Sequence, residues 1–543
     1  MRQALENPFY YLDNFQQVLA WVGRHHGDLL DDAERAFIDR FPQLPQPSRA
    51  LLVRMVMRKG ELFRASKLRY PEIGCPLLAA QALVEHGWLA AAPRVSLEEL
   101  FGLLTKPELL RIFDGAVCAS LRKAELLELL RPAHPAPRTL SDWCDTREDA
   151  VFALGINELC ERLRLMFFGN LRQDWTEFVL ADLGIYRYEQ VAFSADYRAF
   201  HCRTELDVYL HLQRCRERFE AGEELAAVLA DIPQAPYPND WLESRRGKLL
   251  LRIGQQLERC GELNEALRLH AANPYPGARQ RAIRVLERCS QPQAALHLAL
   301  QAQAAPQSEH EAQQVARILP RLSRSLGQPA MPRPRLHVPE RLDLCLPYAP
   351  SVERAVAAHL ATADAPVHYV ENTLIGSLFG LLCWEAIFAP LPGAFFHPFH
   401  WAPADLGRAD FHLRRAKLFA HCLACLDGDD YRTCIRRTFR EKAGIHNAFV
   451  AWGLLDEVLL EQALDCLPAA HLKLMFQRIL ADVPGNRSGL PDLIQFFPAE
   501  RRYRMIEVKG PGDRLQDNQK RWIDFAGCHD LPITVCYVQW TTP

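Results

Sequence analysis

Lysine is nearly missing from this chain: ten of 543 residues, against 54 arginines. Each lysine is therefore a scarce residue whose neighbours carry information. Long apolar runs are missing too. A membrane span needs roughly 18 uninterrupted apolar residues, and the nearest stretch, Leu374 to Phe388, is broken by Glu385. The first fifteen residues hold no apolar core behind a basic start, which argues against a secretory signal. Net charge is almost absent, with 64 Lys+Arg against 66 Asp+Glu. A uniformly basic surface is thereby excluded, and any nucleic-acid partner must meet a local basic patch. The 16 cysteines are scattered singly, so they read as reduced thiols of a cytoplasmic protein and not as a disulfide framework. Disorder is excluded by the 49% hydrophobic content. A chain of this length implies about three or four domains.

What is present is mostly helical periodicity. Residues 1–90 read as a helical region, with apolar spacing at Val18, Leu19, Trp21, Val22 and again at Leu51 to Val56. Residues 91–138 form a compact unit. Ser96–Glu99 and Thr105–Glu108 both fit the capping box, and Ser120 starts a further apolar run, so the unit reads as two short helices around a turn at Gly115. Pro132 to Pro137 reads as a linker. Residues 139–328 read as helical, with two stretches, Leu249 to Leu269 and Arg281 to Leu300, like stacked helical hairpins. Six prolines between 328 and 350 mark the clearest boundary. From 340 to 543 the character changes. Helices run to about 480, then Tyr503–Lys509 and Ile533–Gln539 read as strands flanking a helix over 515–526, the grammar of an α/β core.

The chemistry concentrates in residues 486–540. Gly489-Leu490-Pro491-Asp492 holds the chain's one Pro-Asp pair, and Lys509 is the one lysine with an acid, Glu507, two positions before it. On a strand those two side chains share a face. Two carboxylates converging on one point are hard oxygen ligands for Mg²⁺ or Mn²⁺, and a lysine beside them can orient a water or stabilise a charged phosphate. That is the layout for metal-assisted phosphodiester hydrolysis. Between 501 and 521 seven cations stand against three acids, as phosphate attraction requires.

The run Asn486 to Leu493, then Ile506 to Leu515, then Asn518-Gln519 and Trp522-Ile523 resembles the VRR-nuclease domain, a variant of the PD-(D/E)xK fold. Phe167–Asn170, Glu177–Gly184, Arg246-Gly247-Lys248 and Leu378–Trp384 extend the resemblance to the Fanconi-associated nuclease family. The resemblance implies a mainly α multidomain protein with a C-terminal restriction-endonuclease-like core over 340–543. It also implies a SAP-like DNA-binding domain at 91–138 and a TPR-like helical domain at 139–328. The implied activity is a structure-specific DNA endonuclease of 5′-flap or branched DNA, with 5′-to-3′ exonuclease activity, acting in interstrand-crosslink repair. The implied metal site, for two ions, is Glu371, Asp492, Glu507 and the Val508 carbonyl, with Lys509 as the catalytic lysine and Arg514 on the rim. Eukaryotic members carry an N-terminal ubiquitin-binding finger that this chain does not show, so it resembles a bacterial-type member, expected to be monomeric.

Other candidates come with plainer readings. Glu385 rivals Glu371 as the additional ligand, fourteen positions later and near the same helical face. Arg246 and Lys248, with Arg279 or Arg281, could hold a DNA 5′ phosphate; the plainer reading is a solvated cluster. Lys106, Arg122 and Lys123 are candidate backbone contacts. Cys422 and Cys425, beside His421 and upstream of Cys434, read as a core helix face and not as a zinc site, because no second Cys-x-x-Cys exists. His397 and His400 read as loop packing. The alternatives are a Holliday-junction resolvase or restriction-like nuclease, and a non-catalytic helical scaffold.

Overall fold

The computed structural model describes residues 7–113, 120–144, 149–192, 197–329 and 337–541; Gly115, Pro332 and Pro334 lie outside them. Among the described residues no helix is long and apolar enough to cross a membrane. The chain divides into two compact units.

The first unit holds the residues up to Tyr186 together with Arg198–Leu206. Its helices Tyr10–His26, Asp32–Arg40 and Gln46–Val56 are amphipathic, and the second opens with a full capping box between Asp31 and Glu34. Three short strands, β1 (Leu62–Arg64), β2 (Leu89–Ala91) and β3 (Val151–Leu154), form an antiparallel sheet with β3 in the middle. The sequence reading missed this sheet and began the helical domain at 139. Strands of three or four residues leave no readable alternation, and paired residues such as Leu62 and Ala153 are 91 positions apart.

Both expected capping boxes of the SAP-like segment form. Glu99 N–H donates to Ser96 Oγ at 3.2 Å, and Thr105 N–H donates to Glu108 Oε2 at 2.6 Å. Their consequence differs from the reading. Leu104 is extended, so the second box starts a new helix, giving Leu97–Leu103 and Lys106–Ile112 before Lys123–Leu130. Leu100, Leu109, Leu126 and Trp143 share one core. The stretch read as a linker closes this unit, since Val95 and Arg138 pair as an antiparallel bridge.

The second unit holds Arg187–Tyr197 and everything from Asp207 onward. Helices Asp240–Cys260, Leu263–Ala271, Ala278–Arg288, Pro292–Ala304 and Glu309–Ser325 stack in succession. Ala266 and Ala295, on two helices of this stack, are fully buried. A five-stranded sheet follows: β4 (Glu340–Leu346), β5 (Val367–Tyr369), β6 (Leu493–Phe497), β7 (Arg502–Lys509) and β8 (Ile533–Trp540), in the order β4-β8-β7-β6-β5. β7 is parallel to β8 and antiparallel to β6, and β4 runs parallel to β8 at the edge. The helix Asp517–Cys528 connects the parallel pair β7 and β8. One face packs through Ile494, Phe496, Met505 and Val535 onto the large helical core; Leu493, Ile506, Val508 and Cys536 pack on the other. Cys422, Cys425 and Cys434 lie half-buried against the large core.

Candidate active site

The register of β6 and β7 pairs Leu493 with Ile506. One step further sets Asp492 across from Glu507, at the end of the sheet where β6 begins. Asp492 is held there by its neighbours. Its Oδ2 accepts the Val508 N–H at 2.8 Å, and its carbonyl accepts the Val370 N–H at 2.8 Å. The turn leading into it needs glycine. Gly489 has φ +91°, and a Cβ there would sit 2.7 Å from the Asn518 backbone. Asn372, itself left-handed at φ +52°, accepts the Gly489 and Leu490 N–H groups at 2.6 and 3.1 Å. The loop carrying Glu371 is thus pinned to the loop carrying Asp492.

Glu507 and Lys509 share a face of β7, with the ammonium 2.7 Å from Glu507 Oε1. Asp492, Glu507 and Lys509 are all buried. Burial is the main reason the Glu507 carboxyl is pushed up to about 7; the Asp492 charge adds to it and Lys509 opposes it. Burial likewise raises Asp492, against the pull of the Val508 N–H and Lys509. The Glu371 charge acts on both. So acids outnumber the one lysine in a dry pocket.

That imbalance fits a divalent cation. Glu507 Oε1 is buried and meets the Lys509 ammonium at 2.7 Å, so the carboxylate keeps lone pairs for a cation. Among the described residues no three His, Cys, Asp or Glu side chains close onto one point. A hard cation such as Mg²⁺ needs only one or two carboxylates, with water and substrate oxygens completing its shell. The donor set here meets that requirement.

A stability test follows from Glu507. Between its ordinary 4.5 and about 7 the folded protein keeps a proton that the unfolded chain has lost. Stability of the metal-free protein should therefore fall as pH rises through that window, by up to about 3 kcal/mol. With chelator present, Glu507→Gln should melt several degrees above wild type at pH 8 and level with it at pH 4.5. An equal gap at both pH values would remove burial of the charge as the cause.

The other expected site residues separate. Glu371 is exposed at the end of β5, and Tyr369 Oη donates to its carboxylate. Glu385 does not join the cluster. The apolar helix ends at Leu382, and the short helix Trp384–Ile387 turns Glu385 out to solvent among buried neighbours. The expectation that it shares a helical face with Glu371 is corrected: Glu371 precedes the helix Leu374–Leu382, and the break at Cys383 puts Glu385 on a separate turn. Arg514 is exposed just beyond β7.

Arg246 is also corrected as an open phosphate contact. It is buried, bonded to Glu243 through Nε and a terminal nitrogen at 2.8 Å each, and directed at the Pro233 and Gln234 carbonyls. The Arg246-Gly247-Lys248 motif has a packing role, since a Cβ on Gly247 would meet Tyr275 at 2.8 Å. Arg279 is similarly committed, to Glu311 and the Ala305 carbonyl. Lys248 is exposed. Arg281 lines a groove of about 690 Å³ with Arg284, His310, Arg317 and Arg321. In the first unit Arg122 is exposed, Lys106 half-buried, and Lys123 donates to the Leu104 carbonyl at 2.8 Å.

Sequence reasoning missed Tyr369, Asn372, Arg284 and Glu353. The Glu353 charge reaches Asp492 from the start of the helix Val352–Leu360. Nothing local marks these residues, except that an Asn in a tight turn tolerates positive φ.

Comparison with known proteins matches three family models: "FAN1, HTH domain" over residues 9–90, "Fanconi anemia-associated nuclease SAP domain" over 95–143 and "VRR-NUC domain" over 427–540. The last leaves out β4 and β5, which complete the sheet. The chain is 57% identical over 541 residues to the Fanconi-associated nuclease 1 homolog of Pseudomonas aeruginosa, covering 99% of this chain and 97% of that one. The rice homolog is 25% identical over 97% of this chain and 62% of its own length. The crystal structure of paFAN1 bound to DNA with a two-nucleotide 5′ flap and a gap matches with a TM-score of 0.96 at 56% identity, over the whole of both chains. With its buried acid–lysine cluster at the end of a PD-(D/E)xK sheet, the chain belongs to the Fanconi-associated nuclease 1 family and is a divalent-metal-dependent DNA nuclease.

Proposed function

We propose that this nuclease cuts the flap-bearing strand of 5′-flap or branched DNA near the junction and also degrades from 5′ ends, in crosslink repair, as a cytoplasmic monomer using two Mg²⁺ or Mn²⁺ ions. The observation that carries the reading is the pairing of Asp492 with Glu507 and Lys509 in a chain alike over its whole length to paFAN1, itself seen with 5′-flap DNA.

The ligands in this reading are Asp492, Glu507, Glu371 and the Val508 carbonyl. A divalent cation bound there supplies charge neutralisation and Lewis-acid polarisation of a phosphate oxygen. The chain's own part is orientation. The Val508 N–H holds the Asp492 carboxylate still, and burial keeps bulk water from Glu507. The Lys509 ammonium stands beside Glu507, positioned to orient the attacking water and to offset charge on the phosphate.

A 5′ phosphate fits the arginine groove better than Arg246. Lys248, Leu251 and Gln255 follow one helical face toward it. Arg284 has no ion-pair or hydrogen-bond partner among the described residues, whereas Arg317 is paired with Asp517 and Arg321 with Glu287. Lys248, Arg281 and Arg284 are the proposed phosphate contacts. Lys106, Arg122, Lys123 and Arg514 are proposed as backbone contacts that position duplex without reading sequence.

The test is a panel of labelled 5′-flap, 3′-flap and four-way-junction DNA, with the flap end phosphorylated or bearing a hydroxyl. The 5′ flap should be cut fastest, and Arg284→Ala should slow the phosphorylated substrate several-fold more than the hydroxyl one. Paired symmetric cuts in the four-way junction would favour a resolvase, and binding without cutting a scaffold.

A further inference from the structure

We propose that Tyr369 is a positioning residue of the metal site: its hydroxyl, donating to Glu371, holds that exposed carboxylate ready to meet a cation bound at Asp492 and Glu507. The inference rests on the divalent-metal reading above. β5 is a three-residue edge strand whose register sets Tyr369 opposite Leu493, the residue after Asp492. The backbone around Glu371 is tied on both sides, by the Val370 N–H on the Asp492 carbonyl and by Asn372 on the 489–490 turn.

The Glu371 side chain has no such restraint from burial, because it is exposed. Ordering a free glutamate side chain costs rotamer entropy. Two neighbours supply the order. Tyr369 Oη donates to Oε2, and Asn372 Nδ2 approaches Oε1 at 3.3 Å. The tyrosine bond is the stronger, an O–H on a carboxylate from a side chain with only two rotatable angles. Tyr369 is 42% exposed. A tyrosine there could keep its hydroxyl in water, yet it turns it onto an acid.

The test is calorimetric titration of the full chain with Mn²⁺ for wild type, Tyr369→Phe, Glu371→Gln and the double variant. Tyr369→Phe keeps the ring and its packing, so its melting temperature in chelator should match wild type. Its Mn²⁺ affinity should fall about tenfold, the usual effect of removing a group that orients a ligand. Cleavage of the 5′ flap should recover when Mn²⁺ is raised by the same factor. The double variant should bind no more weakly than Glu371→Gln, because the hydroxyl acts only through that carboxylate. Wild-type affinity in Tyr369→Phe, or losses that add in the double variant, would overturn the proposal. Wild-type protein that binds no Mn²⁺ would overturn the metal reading beneath it.

Discussion

Asp492→Asn should reduce DNA cleavage by about a thousandfold or more while leaving DNA binding close to wild type. Loss of a single preorganised electrostatic group commonly costs 10² to 10³ in rate, and this carboxylate serves both as a charge and as an anchor. Its charge faces Glu507 and Lys509, while its Oδ2 holds the Val508 N–H. Asparagine keeps an oxygen for that N–H and removes only the charge. Alanine would also leave the buried N–H without a partner, at a cost of about 1–3 kcal/mol. The two variants should thus be equally inactive but differ in melting temperature, with Asn close to wild type. DNA binding should survive in both, since the arginine groove and the exposed cations remain. Filter binding and flap cleavage on the same preparations give both numbers. An active Asp492→Asn enzyme would remove Asp492 from the chemistry.

Glu371→Gln and Glu385→Gln should behave as opposites. Glu371 stands next to the Asp492 turn, and its charge acts on Asp492 and Glu507. Its amide variant should lose about a hundredfold or more in metal-dependent cleavage with an unchanged melting temperature, as an exposed side chain. Glu385 faces solvent on the short helix Trp384–Ile387, so its variant should keep both activity and stability, within about 0.5 kcal/mol for a surface substitution. An inactive, normally folded Glu385→Gln beside an active Glu371→Gln would reverse the assignment.

The difference between these two glutamates shows where a sequence is readable. Asp492, Glu507 and Lys509 stand out because their signal is local: one Pro-Asp pair, one acid two positions before a rare lysine, and two short β-rich runs, β7 and β8, on either side of a helix. Glu371 is more than a hundred residues from Asp492, and its link to the site is a backbone bond and an asparagine turn. Only resemblance pointed to it. β4 carries an alternation of its own, Leu342, Leu344 and Leu346 inward, but it adjoins a proline-rich run that reads as a domain boundary. β5 and the three strands of the first unit are too short for any period to register. Arg246 was misread for another reason. A charge cluster looks solvated in one dimension, and only the packing of Gly247 on Tyr275 shows that its helix is pressed inward there.

The most direct measurement is cleavage of an end-labelled 5′-flap DNA by the wild-type chain, first with EDTA and then with Mn²⁺ restored in excess. The carboxylates Asp492 and Glu507 outnumber Lys509 in a buried site, so the account predicts no incision in chelator and full incision near the junction when the metal returns. Undiminished cutting in EDTA would contradict it.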